Sequence, residues 1–217
     1  MKNAKLILKI SVVLPLLMTF FSCNPIENNS TSPSMLIVQK MTGVDVEGNE
    51  ANFLQSDVLY QNPDDPTDSS IHADVATVTL KAELLEPASV LGLSQYHDIT
   101  VTRYVVSYMR SDGKNAEGVD VPYSFEGYFT TQIPIGNTAE ISFVIVREVA
   151  KNEPPLVDLV YGTQEGVIEV TARVDFYGHD QANREITATG YLTIFFANYA
   201  NTGGGGGGGG QSIGGGL

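Results

Sequence analysis

Apolar and polar residues alternate with a period of two along most of the chain between Met35 and Ala200. The cleanest run is Val167 to Tyr177, where Ile168, Val170, Ala172, Val174 and Phe176 alternate with Glu169, Thr171, Arg173 and Asp175. Successive side chains of a strand point to opposite faces, so this pattern predicts a strand with one buried side. Ala76 to Leu84 alternates in the same way, and so does Ile186 to Phe196. Phe125, Phe129 and Ile133 mark a fourth strand. Ile99 to Met109 is rich in β-branched and aromatic residues, but its alternation is less regular. Ile141 to Val146 is nearly all apolar and predicts a central strand covered on both faces. Met35 to Lys40 and Phe53 to Tyr60 predict two shorter strands.

Turn residues separate these runs: Asn62-Pro63-Asp64-Asp65-Pro66, Ser111-Asp112-Gly113-Lys114, Gly136-Asn137, Gly162 and Gly178-His179-Asp180. Only Arg147 to Asn152 has helical character, and Pro154-Pro155 stops it. About eight strands at short spacing, with at most one short helix, predict an all-β domain over residues 36–200. The expected architecture is an antiparallel β-sandwich, immunoglobulin-like in layout. The Cys and Trp landmarks of antibody domains are missing, because the chain has one Cys and no Trp.

The ends of the chain follow other patterns. Residues 1–22 carry Lys2, Lys5 and Lys9 and no acid, followed by an apolar stretch from Ile10 to Phe21. A basic start, about a dozen apolar residues and a small residue form a secretory signal pattern. The stretch is shorter than the roughly 20 residues of a bilayer span, and Pro15 interrupts it. Residues 23–35 read as a polar tether after Cys23. At the other end, residues 201–217 hold eleven of the 22 glycines and read as a disordered Gly-rich tail.

Phe20-Phe21-Ser22-Cys23 resembles the lipobox of bacterial lipoproteins, with Phe20 where Leu is commoner. The resemblance implies that the peptide is cut before Cys23. The thiol then receives diacylglycerol and the new amino group an acyl chain such as palmitate. Asn24, standing where Asp would retain the protein elsewhere, implies sorting to the outer membrane. Five stretches of the folded region are similar to a group of bacterial envelope lipoproteins: Phe53 to Val58, Thr102 to Asn115, Val119 to Gly127, Phe143 to Leu156 and Val174 to Ala200. That group brings no activity and no functional residues with it. It implies an exported, lipid-anchored domain.

Charge narrows the partners. Without residues 1–22, nine basic side chains face 25 acidic ones, a net charge of −16. Nucleic acid is disfavoured as a partner, because phosphate backbones are held by Lys and Arg. Eight acids and no Lys or Arg lie between Met41 and Leu80, densest at Asp64, Asp65 and Asp68. Calcium takes six to eight oxygen ligands, so these three are its candidate ligands. Their spacing lacks the EF-hand pattern, and a solvated acidic loop is the competing reading. His72, His97 and His179 are far apart and not at zinc-ligand spacing. No Gly-x-Ser-x-Gly elbow or phosphate-binding loop occurs. No catalytic residue is nominated. Eight tyrosines at positions 104, 108, 123, 128, 161, 177, 191 and 199 are either half-buried strand residues or an exposed binding cluster. Arg103, Arg110, Arg147 and Arg173 are expected to pair with carboxylates across strands.

Taken together, the residues point to a lipid-anchored, non-enzymatic envelope module that binds another envelope protein. A glycan- or calcium-binding β-sandwich is the alternative, and a hydrolase the remote one.

Overall fold

A computed structural model describes residues 32–86, 94–162 and 166–199. The signal segment, Cys23 and the Gly-rich tail lie outside the described residues. The described strands are β1 (Ser34–Val44), β2 (Glu50–Ala51), β3 (Phe53–Asp57), β4 (Tyr60–Asn62), β5 (Asp65–Ser70), β6 (Asp74–Leu84), β7 (Ile99–Met109), β8 (Phe125–Ile133), β9 (Thr138–Val146), β10 (Val167–Asp180) and β11 (Glu185–Ala197). Two short helices, α1 (Glu148–Lys151) and α2 (Leu156–Val160), lie between β9 and β10.

The strands form a sandwich. One sheet has the order β2-β1-β6-β9 and the other β3-β11-β10-β7-β8, while β4 and β5 make a separate hairpin. Setting aside the short β2 to β5, the first, second and fifth strands face the other four. That is the A-B-E against C′-C-F-G partition of immunoglobulin-like sandwiches. All pairings of the long strands are antiparallel; β3 alone runs parallel to its neighbour, β11.

An aromatic cluster fills the space between the sheets. Phe143 on β9 meets Tyr104 on β7 and Phe176 on β10 edge-on, with centroids 5.0 and 5.5 Å apart. Phe129 stacks on Tyr104 at 5.7 Å. Such pairs contribute about 0.5–1.5 kcal/mol each beyond their area. Tyr108 on β7 donates its hydroxyl to the Ile145 carbonyl at 2.7 Å, tying one sheet to the other.

A second tie is ionic. Lys151 on α1 is 1% exposed. Its ammonium donates to Asp74 Oδ1 at 2.9 Å and to the Asp57 carbonyl at 2.7 Å. The other oxygen of Asp74 accepts from Ser56 Oγ at 2.6 Å. Asp57 in turn accepts from the Tyr199 amide. The end of β3, the start of β6, α1 and the exit of β11 are thus joined by one buried polar knot.

Several expectations need correction. The limit of one short helix fails. Beyond Pro155, Leu156 and Leu159 are both buried, and that i, i+3 pair seats α2 on the core. Proline ends the first helix but is well suited to open the next. Ile141 to Val146 is not a central strand. It belongs to β9 at the edge of its sheet, where Ile141, Phe143 and Ile145 face inward and Ser142 faces solvent. Phe53 to Tyr60 is broken at Asp57, and Tyr60 opens the β4–β5 hairpin. Ser34 and Met35, assigned to the tether, are the first residues of β1. Ser32 is already buried and donates to Asp180 Oδ2 at 2.8 Å. The Gly136 turn forms as expected, with φ at +83°, a backbone conformation open to glycine at little cost.

Candidate functional site

The two sheets present unlike outer faces. On the four-stranded sheet the outward residues include Thr77, Thr79, Lys81 and Glu83 of β6 and Glu140 and Ser142 of β9. Thr77 and Ser142 hydroxyls are 3.2 Å apart, and Lys81 pairs with Glu83. This is an ordinary solvated surface.

The five-stranded sheet carries aromatic rings and arginines outward. Register places them in rows across the strands. Phe53 stands beside Thr193, and Thr193 beside Thr171. Tyr191 stands opposite Arg173, and Arg173 opposite Ser107. Tyr177 stands opposite Arg103, and Arg103 opposite Tyr128. Phe53 and Phe195 meet edge-on at 5.9 Å. Tyr191 and Tyr128 are 58% and 70% exposed.

Polar contacts hold this face in place. Arg103 lies over the Tyr177 ring at 4.1 Å and donates to Glu126 at 3.2 Å. Tyr128 donates to the other Glu126 oxygen at 2.5 Å. That bond, then Arg103, holds the Glu126 carboxyl below its ordinary range, while Glu126 raises the Tyr128 hydroxyl. Asp175 accepts from Arg173 at 3.0 Å and from Thr189 at 2.5 Å. The arginine is thereby held still more firmly in its charged form.

Of the eight tyrosines, positions 128, 177 and 191 share this face. Tyr104 and Tyr108 are core residues, and burial raises both hydroxyls above their ordinary value, Tyr108 by far. Tyr199 is half-buried, with its hydroxyl donating to the Phe195 carbonyl. Tyr123 and Tyr161 are exposed on loops at the end of the sandwich remote from Ser32. Arg103 makes the expected cross-strand ion pair, with Glu126. Arg110 and Arg173 pair with acids two residues on, and Arg147 lies over the Phe125 ring at 4.7 Å.

The calcium candidates do not converge. Asp65 accepts from the Thr67 amide and hydroxyl, and Asp68 accepts from Asn62. Asp64 stands beside them in the turn between β4 and β5. Among the described residues no three His, Cys, Asp or Glu side chains gather where a metal could be held. The histidines are equally dispersed. His72 meets Ser70 Oγ at 2.8 Å, His97 lies in the 3-10 turn Gln95–His97, and His179 is on the outer face of β10.

At the Ser32 end of the five-stranded sheet two hollows open. One, of about 360 Å³, lies beside Arg103 and His179. The other, of about 250 Å³, lies between Gln95, Tyr96, Gln132 and Gln181. None of these glutamines stood out in the sequence, because each falls in a turn or on a polar strand face. No protein-family model matches the chain, and no curated protein matches its sequence.

Proposed function

We infer that this chain is a lipid-anchored, non-enzymatic binding protein of the bacterial envelope. Cys23 would hold it in the outer membrane, and the outer face of the five-stranded sheet would be offered to another envelope protein. The observation that carries this reading is the contrast between the two outer faces. Tyrosine and arginine are the residues most enriched where interfaces bind tightly. Here they stand in register on one sheet, already fixed by Glu126 and Asp175, so little side-chain ordering is left to cost affinity.

The size of the face fits. Five strands about 4.8 Å apart and about ten residues long cover roughly 20 by 33 Å, or about 700 Å². A standard interface buries about 800 Å² per partner. The buried ionisable groups have structural duties: Lys151 and Asp74 join β6 to α1, and Asp180 holds the chain's entry segment.

The test is photocrosslinking in cells that make the full chain. A crosslinker at Tyr191 is expected to capture a discrete envelope protein, and one at Thr79 on the other sheet to capture none. Equal capture from both faces, or none from Tyr191, overturns the assignment. The anchor is tested separately. Cys23→Ser is expected to move the protein from the membrane to the soluble fraction, and continued membrane attachment refutes lipidation.

A further inference from the structure

We propose that the Ser32 end of the five-stranded sheet is a binding belt for an uncharged oligosaccharide. A β-bulge builds it. Arg103 faces Tyr177 and Tyr128, but the next paired residue of β7 is Val101, facing Gly178 and Thr131, so Thr102 is an extra residue against β10 and stands opposite the two unpaired residues Phe129 and Thr130 on β8. Bulges re-aim side chains and are common beside binding sites. Gly178 lets the strands close up here. A Cβ on it would come within 2.4 Å of the Thr100 carbonyl oxygen, a backbone atom that has no room to yield. The larger hollow opens beside this kink, lined by Thr102, Arg103, His179, Asn183, Glu185 and Thr187.

The smaller hollow continues the belt. Thr100 lies between the two, opposite Gln132 on one side and His179 on the other. Gln181 reaches Thr100 Oγ1 at 3.4 Å. The row Gln132–Thr100–His179–Glu185 crosses four strands, about 14 Å. Gln132 is oriented by donating to Asp98 at 3.3 Å.

The lining selects the ligand class. Planar amides and a guanidinium can bridge neighbouring hydroxyl pairs, and each amide both donates and accepts. Tyr96, 73% exposed, offers a ring for the C–H face of a sugar. Within the belt the Arg103 guanidinium is already paired with Glu126, and Glu185 adds a carboxylate on the strand position opposite His179. The field of a domain whose residues 36–200 carry nine bases and 24 acids, a net −15, opposes an anionic ligand. Both hollows are shallow and half open, with polar atoms making up about half of the lining, so an apolar ligand would bury little surface there. A neutral, polyhydroxylated chain is the class left. This site stands apart from the Tyr191–Arg173 part of the face, and it does not depend on the lipid anchor.

The experiment uses the full-length chain in detergent on an array of neutral, amino-substituted and acidic oligosaccharides. The best neutral hit is then titrated by calorimetry. Binding to neutral glycans is expected. Tyr96→Ala and Gln132→Ala are each expected to weaken it about tenfold or more, with an unchanged melting temperature because both side chains are exposed. Thr79→Ala, on the other sheet, is expected to bind like the parent. Absence of any neutral hit, preference for acidic glycans, or full affinity in both Tyr96→Ala and Gln132→Ala overturns the proposal.

Discussion

Replacing Lys151 by Met should be among the most damaging single changes in this domain, and the damage should fade in acid. The ammonium is buried and touches both Asp74 and the Asp57 carbonyl. Met keeps most of the stem's packing but removes the charge. Asp74 is then left as a buried carboxylate with Ser56 as its remaining polar partner among the contacts described above. Breaking one side of a buried ion pair costs about 3–5 kcal/mol. For a domain of this size each kcal/mol lowers the melting temperature by about 2–4 °C, so the variant should melt roughly 10 °C early.

The pH dependence isolates the cause. Desolvation already raises the Asp74 carboxyl above its ordinary value of 3.8, although Lys151 opposes this. Without Lys151 it rises further. A group whose folded value is raised favours the folded state below the unfolded value and loses that contribution as pH climbs through the folded value. The variant therefore recovers relative to the parent as pH falls from 7 toward 4, because a neutral Asp74 no longer needs the ammonium. The assay is urea unfolding of both proteins at several pH values across that range. A second replacement, Asp74→Leu on top of Lys151→Met, should restore much of the loss, since apolar pairs often substitute for buried ion pairs. A single variant within about 1 kcal/mol of the parent at pH 7, or a gap that widens in acid, refutes this account.

Other outcomes follow from the same contacts. Tyr108→Phe strands the Ile145 carbonyl and should cost about 1–2 kcal/mol in chemical denaturation. Because burial raises the Tyr108 hydroxyl above 10.0, the parent loses stability as pH climbs past that value, and the variant should lose less over the same range. Asp180→Ala removes the acceptor for Ser32, Ala182 and Arg184 together and should cost about 3 kcal/mol, read as an early melting transition. Ser32→Ala should cost only about 1 kcal/mol by the same measurement. Millimolar calcium should move the melting temperature by less than about 1 °C, because the Asp65 and Asp68 carboxylates serve local turns and no three acids gather at a metal site among the described residues; a rise of several degrees would restore Asp64, Asp65 and Asp68 as ligands.

The sandwich was legible because one face of each long strand is buried and the alternation records it. Val167 to Tyr177 and Ala76 to Leu84 lie within β10 and β6 for this reason. β9 was misplaced because an apolar run resembles a central strand. Its Val144 is only half-buried and its Ser142 faces solvent, but Val146 turns inward where the ladder to β6 slips near Asp74. The Lys151 knot was invisible for a different reason. Whether a lysine in a one-turn helix faces water or core depends on where β3 ends and β6 begins. No local pattern holds that information. Asp74 was likewise only one of eight acids in a stretch without Lys or Arg, and its contacts with Lys151 and Ser56 distinguish it.

The candidate surfaces were half-legible, and the missing half was present as an irregularity. Parity along β10 and β11 already puts Tyr177 and Tyr191 on the same face. That Tyr177 stands beside Arg103 and Tyr128 requires the register of β7, whose alternation was the least regular of the long strands. The irregularity is a phase slip. Ile99 and Val101 point inward at odd positions, whereas Tyr104, Val106 and Tyr108 point inward at even ones. Two consecutive non-core residues, Thr102 and Arg103, absorb the change. A one-residue slip would turn every later side chain to the wrong face, so the strand must bulge at this point. The bulge is found between Val101 and Arg103 in the ladder to β10, and the larger hollow opens directly beside it. In a sequence whose alternation is otherwise so regular, the place where the phase breaks is where the backbone departs from its ladder. There the chain has given up pairing energy for shape, and there a ligand site is best sought.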